Sequence, residues 1–195
     1  ADPGEPDGFA SLAMEFVDGQ ALRDVLQKRG RLAPLAALSV IEPVLEALNA
    51  AHNGGFAHRD IKPENVLIST DGRVKVADFG LARAIVTSET SGLTQGLLIG
   101  TVAYLAPEQV ERGVADARTD VYSAGIVLYE MITGQMLYLE EDLHKLLDMA
   151  RKAEIAPPSR LRKGVPPQLE KIVMHALQKL PGERYQSAGD FSSDL

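Results

Sequence analysis

At 195 residues, with 45% hydrophobic and 24% charged side chains, the chain has the composition of one globular domain with a sizeable core. A net charge of −7 and a pI near 5.1 argue against a nucleic-acid binder, which carries a basic face. The absence of cysteine excludes disulfides and thiolate metal sites.

The opening Ala1-Asp2-Pro3-Gly4-Glu5-Pro6-Asp7-Gly8 is acidic and turn-rich, unlike a signal peptide. No apolar run is expected to approach the roughly 20 residues that cross a bilayer, so the expected location is cytoplasmic. Phe9 to Val17 reads as a short buried strand, closed by the turn pair Asp18-Gly19. Ala21 to Arg29 reads as a short helix that Gly30 ends. Leu38, Ile41, Leu45, Leu48 and His52 recur at steps of three and four, which predicts a helix from Pro34 to His52. Pro43 inside it predicts a kink or a solvent-side position, and Gly54-Gly55 stops it. Val66-Leu67-Ile68 and Val74-Lys75-Val76 flank Ser69-Thr70-Asp71-Gly72, a hairpin signal. Thr87 to Gly96, rich in Ser, Thr and Gly, reads as a mobile loop. Thr119 to Thr133 is apolar nearly all round, so it reads as a buried helix with Gly134 as its stop. Leu169, Ile172, Val173, Ala176 and Leu177 mark a further amphipathic helix after Pro166-Pro167. Neither repeats nor a second domain are visible. The predicted class is α+β: a mainly helical body with one small hairpin.

His58-Arg59-Asp60-Ile61-Lys62-Pro63-Glu64-Asn65 falls between a helix and the hairpin, where a functional loop on a rigid scaffold belongs. Phosphoryl transfer to a hydroxyl needs an acceptor for the proton, a cation near the phosphate and oxygen ligands for magnesium. Asp60, Lys62 and Asn65 offer those three kinds of group within six positions. A lone Asp or Lys in a loop is ordinarily solvated surface; the whole octet in this setting is far more specific. Asp78-Phe79-Gly80 follows the second hairpin strand, and its carboxylate suits a hard cation. Alone it would read as an ordinary turn. Gly100-Thr101-Val102-Ala103-Tyr104-Leu105-Ala106-Pro107-Glu108 completes the set, with Pro107 also suited to a helix first turn.

Together these motifs resemble the eukaryotic-like Ser/Thr protein kinases, of bacterial wording, from about Gly4 to Leu195. Met14-Glu15-Phe16-Val17 resembles the hinge, Asp120-Val121-Tyr122-Ser123 opens the buried helix, and Arg184-Tyr185 lies near the end. The resemblance implies a kinase fold in which residues 1–17 form the last small-lobe strand and the hinge. Residues 18–195 then form the helical C-lobe, with an activation segment over 78–108. It implies Asp60 as catalytic base, Lys62 as γ-phosphate contact, and Asn65 and Asp78 as ligands of Mg²⁺, with Mn²⁺ a possible substitute. The backbone of Glu15 and Val17 would bind the adenine of ATP over a floor formed by Leu67. Asp120 would brace the catalytic loop, and Glu108 would pair with Arg184 in the interior. Lys62 with Thr101 follows the Ser/Thr rather than the Tyr pattern. Arg59 implies control by a phosphorylated loop, with Thr94 the foremost candidate before Thr87, Ser88, Thr90 and Ser91.

One part of the pattern is missing. The family's smaller lobe supplies a Gly-rich loop over the phosphates and a strand lysine that pairs with a helix glutamate. Here no Gly-x-Gly-x-x-Gly occurs and the first lysine is Lys28, past the hinge. The expectation is therefore a largely absent N-lobe, a fragment or truncated reading frame, and a chain inactive by itself. Leu137-Tyr138 stands where many relatives have Pro-Phe, a packing change. The expected parent activity is ATP-dependent transfer to Ser/Thr hydroxyls of protein substrates, with any membrane anchor outside these residues. A non-catalytic module that binds protein partners is the alternative, and a small-molecule phosphotransferase is a third. Strand 11–16 is expected to offer an unpaired edge for self-association.

Overall fold

The computed structural model describes residues 15–79 and 100–195. Thr94, the expected Thr87–Gly96 loop and most of the expected Phe9–Val17 strand lie outside them. Glu15–Asp18, which are described, carry no strand. The Asp18-Gly19 pair does not make the expected turn either: Gly19 begins strand β1 (Gly19–Ala21), antiparallel to β2 (Val66–Ser69). The reason is space. A Cβ on Gly19 would lie 2.1 Å from the Ile68 carbonyl oxygen, so the glycine serves close strand approach rather than a turn. Strand β3 (Val74–Val76) pairs with the other edge of β2, giving the antiparallel order β1-β2-β3. The expected hairpin is therefore present, as part of a three-stranded sheet.

Helix α1 (Leu22–Arg29) follows β1, and α2 (Pro34–Asn53) brings the chain to the hairpin side. Pro43 lies inside α2, half-buried rather than on the solvent side. By length and composition α2 is also long and apolar enough to cross a membrane, which corrects the expectation that no such run exists. Its setting supplies the reason for its apolar character: Ala37, Val40, Ile41, Val44, Leu45 and Leu48 are buried against the core, while Glu42 and Glu46 face solvent.

After the 3₁₀ turn Pro63–Asn65 and the sheet come α3 (Pro107–Arg112), α4 (Ala117–Thr133), α5 (Leu143–Lys152), α6 (Pro158–Leu161), α7 (Pro167–Ala176) and α8 (Ala188–Asp194). Helix α4 is the axis of the body. Every residue from Thr119 to Thr133 is buried, because α2, α6, α7 and α8 pack around it. Each fully buried Val, Leu, Ile or Met there contributes on the order of 1.5–3 kcal/mol. The Asp116 side chain caps its start by accepting from the Arg118 N–H at 2.8 Å, while Thr119 Oγ1 accepts from the Asp116 N–H at 3.1 Å. Gly134 ends it at φ 77°, and a Cβ there would lie 2.7 Å from the Gly30 carbonyl oxygen. Helices α5 and α8 were not foreseen in the sequence. The first is short and half-exposed; the second has only Ala188 and Phe191 buried.

Candidate active site

The site is built on Asp120, fully buried in the first turn of α4. Its carboxylate accepts from the backbone N–H of His58 (Oδ2, 2.7 Å) and of Arg59 (Oδ1, 2.7 Å). The ring of His52, at the end of α2, meets Oδ2 at 2.8 Å. Three donors on one buried carboxylate pin the 58–60 loop to the core helix, and they offset the cost of burying its charge. Under that constraint Arg59 adopts φ 72°, and Asp78, on the neighbouring loop, adopts φ 61°. The left-handed region costs a non-glycine residue about 1–2 kcal/mol. Strain held at the two loops that carry the sequence motifs is a mark of a working site.

His58 joins these loops. Its Nε2 donates to the Ala77 carbonyl at 2.8 Å, which leaves Nδ1 to accept the Asp60 N–H at 3.3 Å. The Phe79 ring meets the His58 ring edge-on at 4.5 Å. The Ala77 N–H also donates to the Asn65 carbonyl at 2.8 Å, so Asp78 is anchored one residue away from Asn65's own backbone partner.

Around Asp60 the polar groups converge. Lys62 Nζ lies 2.8 Å from Asp60 Oδ2 and donates to Thr101 Oγ1 at 3.0 Å. Asn65 Nδ2 donates to the Asp60 carbonyl (2.8 Å) and to its Oδ2 (3.1 Å). The amide is thereby oriented, and Asn65 Oδ1 has no hydrogen bond among the described residues. The Asp78 carboxylate is likewise without an ion pair there. The Asn65 amide oxygen and the Asp78 carboxylate, on adjoining loops, are oxygen ligands of the kind that a hard cation prefers.

The remaining candidates fall into two groups. Glu108 and Arg184 meet in the interior, with Arg184 Nη1 on Oε1 at 2.8 Å and Nη2 on Oε2 at 2.7 Å. Burial raises the Glu108 pKa, but the Arg184 hydrogen bonds and charge outweigh it and hold the carboxyl below its ordinary range. Gln109 links this segment to the loop by donating to the Arg59 carbonyl at 3.1 Å. On the other side, Glu15 is exposed and paired with Lys75 of β3, which lowers its carboxyl pKa. Glu15 and Val17 line a shallow hollow of about 210 Å³ with Ser69–Asp71, Arg73 and Lys75, and Leu67 is not part of its lining. Leu67 sits in the middle strand, opposite Ala21 and Lys75. A second hollow, about 310 Å³, is lined by Arg59, His52, Phe56 and Asp116 among others.

Sequence reasoning missed His52, Arg23, Tyr104 and Glu130 as polar network members. Glu130 carried a signal, since a carboxylate inside an otherwise apolar helix must find a partner. Arg23 supplies it at 2.6 Å.

A family model described as protein kinase domain matches residues 5–190. Serine/threonine-protein kinase PknL of Mycobacterium tuberculosis is 42% identical over 194 residues, which is 100% of this chain and 48% of PknL. Serine/threonine-protein kinase PknB of Mycolicibacterium smegmatis is 41% identical over 198 residues, 100% of this chain and 32% of PknB. The chain thus spans about half the length of the first relative and about a third of the second. The chain belongs to the protein kinase domain family, with bacterial Ser/Thr protein kinases as its relatives.

Proposed function

We propose that the chain is the hinge and helical lobe of a Ser/Thr protein kinase that moves the γ-phosphate of ATP to Ser/Thr hydroxyls of protein substrates. The observation that carries this reading is the Asp60–Lys62–Thr101 constellation, with Asn65 oriented onto Asp60 and the loop braced by Asp120. Asp60 accepts the proton of the substrate hydroxyl as its oxygen bonds to the γ-phosphorus and the β–γ bridging P–O bond breaks, releasing ADP. Lys62 has an N–H to spare for the transferring phosphate, and Thr101 positions the hydroxyl. Asn65 Oδ1 and the Asp78 carboxylate would hold Mg²⁺ or Mn²⁺, which neutralises phosphate charge when bound. Backbone groups of Glu15 and Val17 would bind adenine, with Leu67 as the floor of a pocket other than the shallow hollow that those two residues line.

Regulation follows the Arg59 side chain, which has no hydrogen bond among the described residues and reaches the hollow beside His52. A phosphate on Thr94 would pair with it. The Gly-rich loop and the strand lysine of the family are not among these residues, so the chain by itself is read as inactive. That same feature is what favours the second reading, a non-catalytic module binding protein partners. The kinase reading puts the domain in the cytoplasm, where ATP is.

One experiment tests the set: ³²P transfer by the whole parent kinase to a generic Ser/Thr substrate. Asp60→Asn is expected to cut turnover by a factor on the order of 10²–10⁴ without unfolding the protein. The 195-residue chain assayed alone is expected to transfer nothing. Wild-type turnover in the variant removes Asp60 from its role, and an inactive parent favours the binding module. Phosphopeptide mapping of the autophosphorylated parent is expected to find Thr94 modified; Thr94 always bare refutes that part.

A further inference from the structure

Arg23, in the first turn of α1, makes contacts that the reaction scheme above does not use. Its guanidinium donates from Nε to Glu64 Oε1 at 2.7 Å and from Nη1 to Glu130 Oε1 at 2.6 Å, and from Nη2 to the Tyr104 hydroxyl. Tyr104 in turn donates to the other oxygen of Glu130. Glu130 and Tyr104 are buried, so their hydrogen bonds to Arg23 are shielded and strong, while the Glu64 arm lies at the surface. Burial raises the Tyr104 pKa, with Glu130 adding to the effect, so the phenol keeps its proton.

The position of the partners matters more than their number. Glu64 stands two residues after Lys62 and next to Asn65, in the 3₁₀ turn of the catalytic loop. Tyr104 stands three residues after Thr101, closing a turn on it by donating its N–H to the Thr101 carbonyl at 3.2 Å. Lys62 joins Thr101 at 3.0 Å. The contacts therefore form a closed ring: Arg23 to Glu64, along the chain to Lys62, across to Thr101, through the turn to Tyr104, and back to Arg23. Lys62–Thr101 and Gln109–Arg59 are single hydrogen bonds between the two segments, and Arg23 is a further tie, placed on the Tyr104 side of Thr101. Glu130 anchors that tie to the core helix α4.

We infer that Arg23 is a positioning residue for phosphoryl transfer to protein: it sets the segment bearing Thr101 against the loop bearing Asp60 and Lys62. This rests on the kinase reading for its consequence, though not for its geometry. A mere neutraliser of the buried Glu130 would affect global stability only. A positioning residue affects the substrate side of the reaction and the local order of the 101–105 turn, because a small misplacement of reacting groups costs rate steeply.

The test separates these roles with a pair of substitutions that leaves no buried carboxylate behind, Arg23→Met with Glu130→Gln, beside Arg23→Lys. In the whole parent kinase, the double variant is expected to lower kcat/KM for a peptide substrate about tenfold or more, with KM for ATP within about twofold. Arg23→Lys is expected to recover part of the loss, since an ammonium cannot reach three acceptors in one plane. In the 195-residue chain, hydrogen exchange is expected to quicken at the Tyr104 and Leu105 amides, while the α7 amides keep their protection. Peptide kcat/KM close to wild type, or exchange that quickens evenly along the chain, overturns the inference. Should the wild-type parent transfer no phosphate, the kinase reading fails by itself, and the exchange pattern still decides whether Arg23 positions the segment.

Discussion

Two ion pairs in this chain use the same chemistry to opposite ends. Arg184 spends all five of its N–H groups: on both oxygens of Glu108 and on the carbonyls of Gln178, Arg118 and Lys179. Its guanidinium also lies 4.5 Å from the centre of the Tyr122 ring, and its side chain is fully buried. Lys62 touches Asp60 and Thr101 and has an N–H left over, and both members of that pair remain partly open to solvent. A saturated pair has nothing to give a substrate. A pair with a spare donor, beside oxygens that have no partner among the described residues, is free to meet one. Completeness of hydrogen bonding therefore separates the structural brace from the candidate site.

The largest expected effect breaks the saturated pair. Arg184→Ala leaves the Glu108 carboxylate buried without its cation and takes one donor from each of three carbonyls, at a cost of about 3–5 kcal/mol. Urea denaturation of the chain measures it. Lys62→Met, by contrast, removes a partly solvated pair and is expected to cost about 1 kcal/mol or less. Equal losses for the two would dissolve the distinction.

The sequence made the chemistry-bearing loops legible because they are local. Asp60, Lys62 and Asn65 lie within six positions, Asp78 follows a hairpin, and the buried run of α4 is apolar over its whole length. What stayed hidden is non-local. Arg23 meets Glu130 across 107 positions, and no periodicity announces such a meeting. Strand β1 was hidden for a different reason. It has three residues, two of them exposed, and it begins with a glycine that reads as a turn until Ile68 is seen against it. His52 fell correctly on the inner face of α2, yet its partner Asp120 lies 68 residues on.

A smaller effect sharpens the comparison from its midpoint. Asp120 belongs to the brace by burial and to the site by what it holds. Asp120→Asn keeps one acceptor oxygen, but turns an NH₂ toward a donor that needs an acceptor. The expected loss is about 1–3 kcal/mol. Hydrogen exchange at the His58 and Arg59 amides is expected to rise further than the global loss explains. If those two amides follow the rest of the core, Asp120 braces the body alone.

The smallest expected effect concerns acid. The Glu108 carboxyl is held below its ordinary pKa in the folded state, because Arg184 more than offsets the burial that would raise it. In the unfolded chain the same group titrates in the ordinary glutamate range, so the unfolded state takes up its proton first as pH falls. The pair's stabilisation is therefore whole above that range and is lost as pH falls through the folded value. Glu108→Gln keeps the shape but cannot titrate. Urea midpoints of wild type and variant, followed from neutral pH downward, are expected to show a gap that stays constant and then narrows on the acid side. Other lowered carboxyls such as Asp116 act alike in both proteins and drop out of the difference. A gap that holds its width into acid would mean that Arg184 stabilises the chain through its three carbonyl contacts and the Tyr122 ring, with the charge of Glu108 contributing nothing.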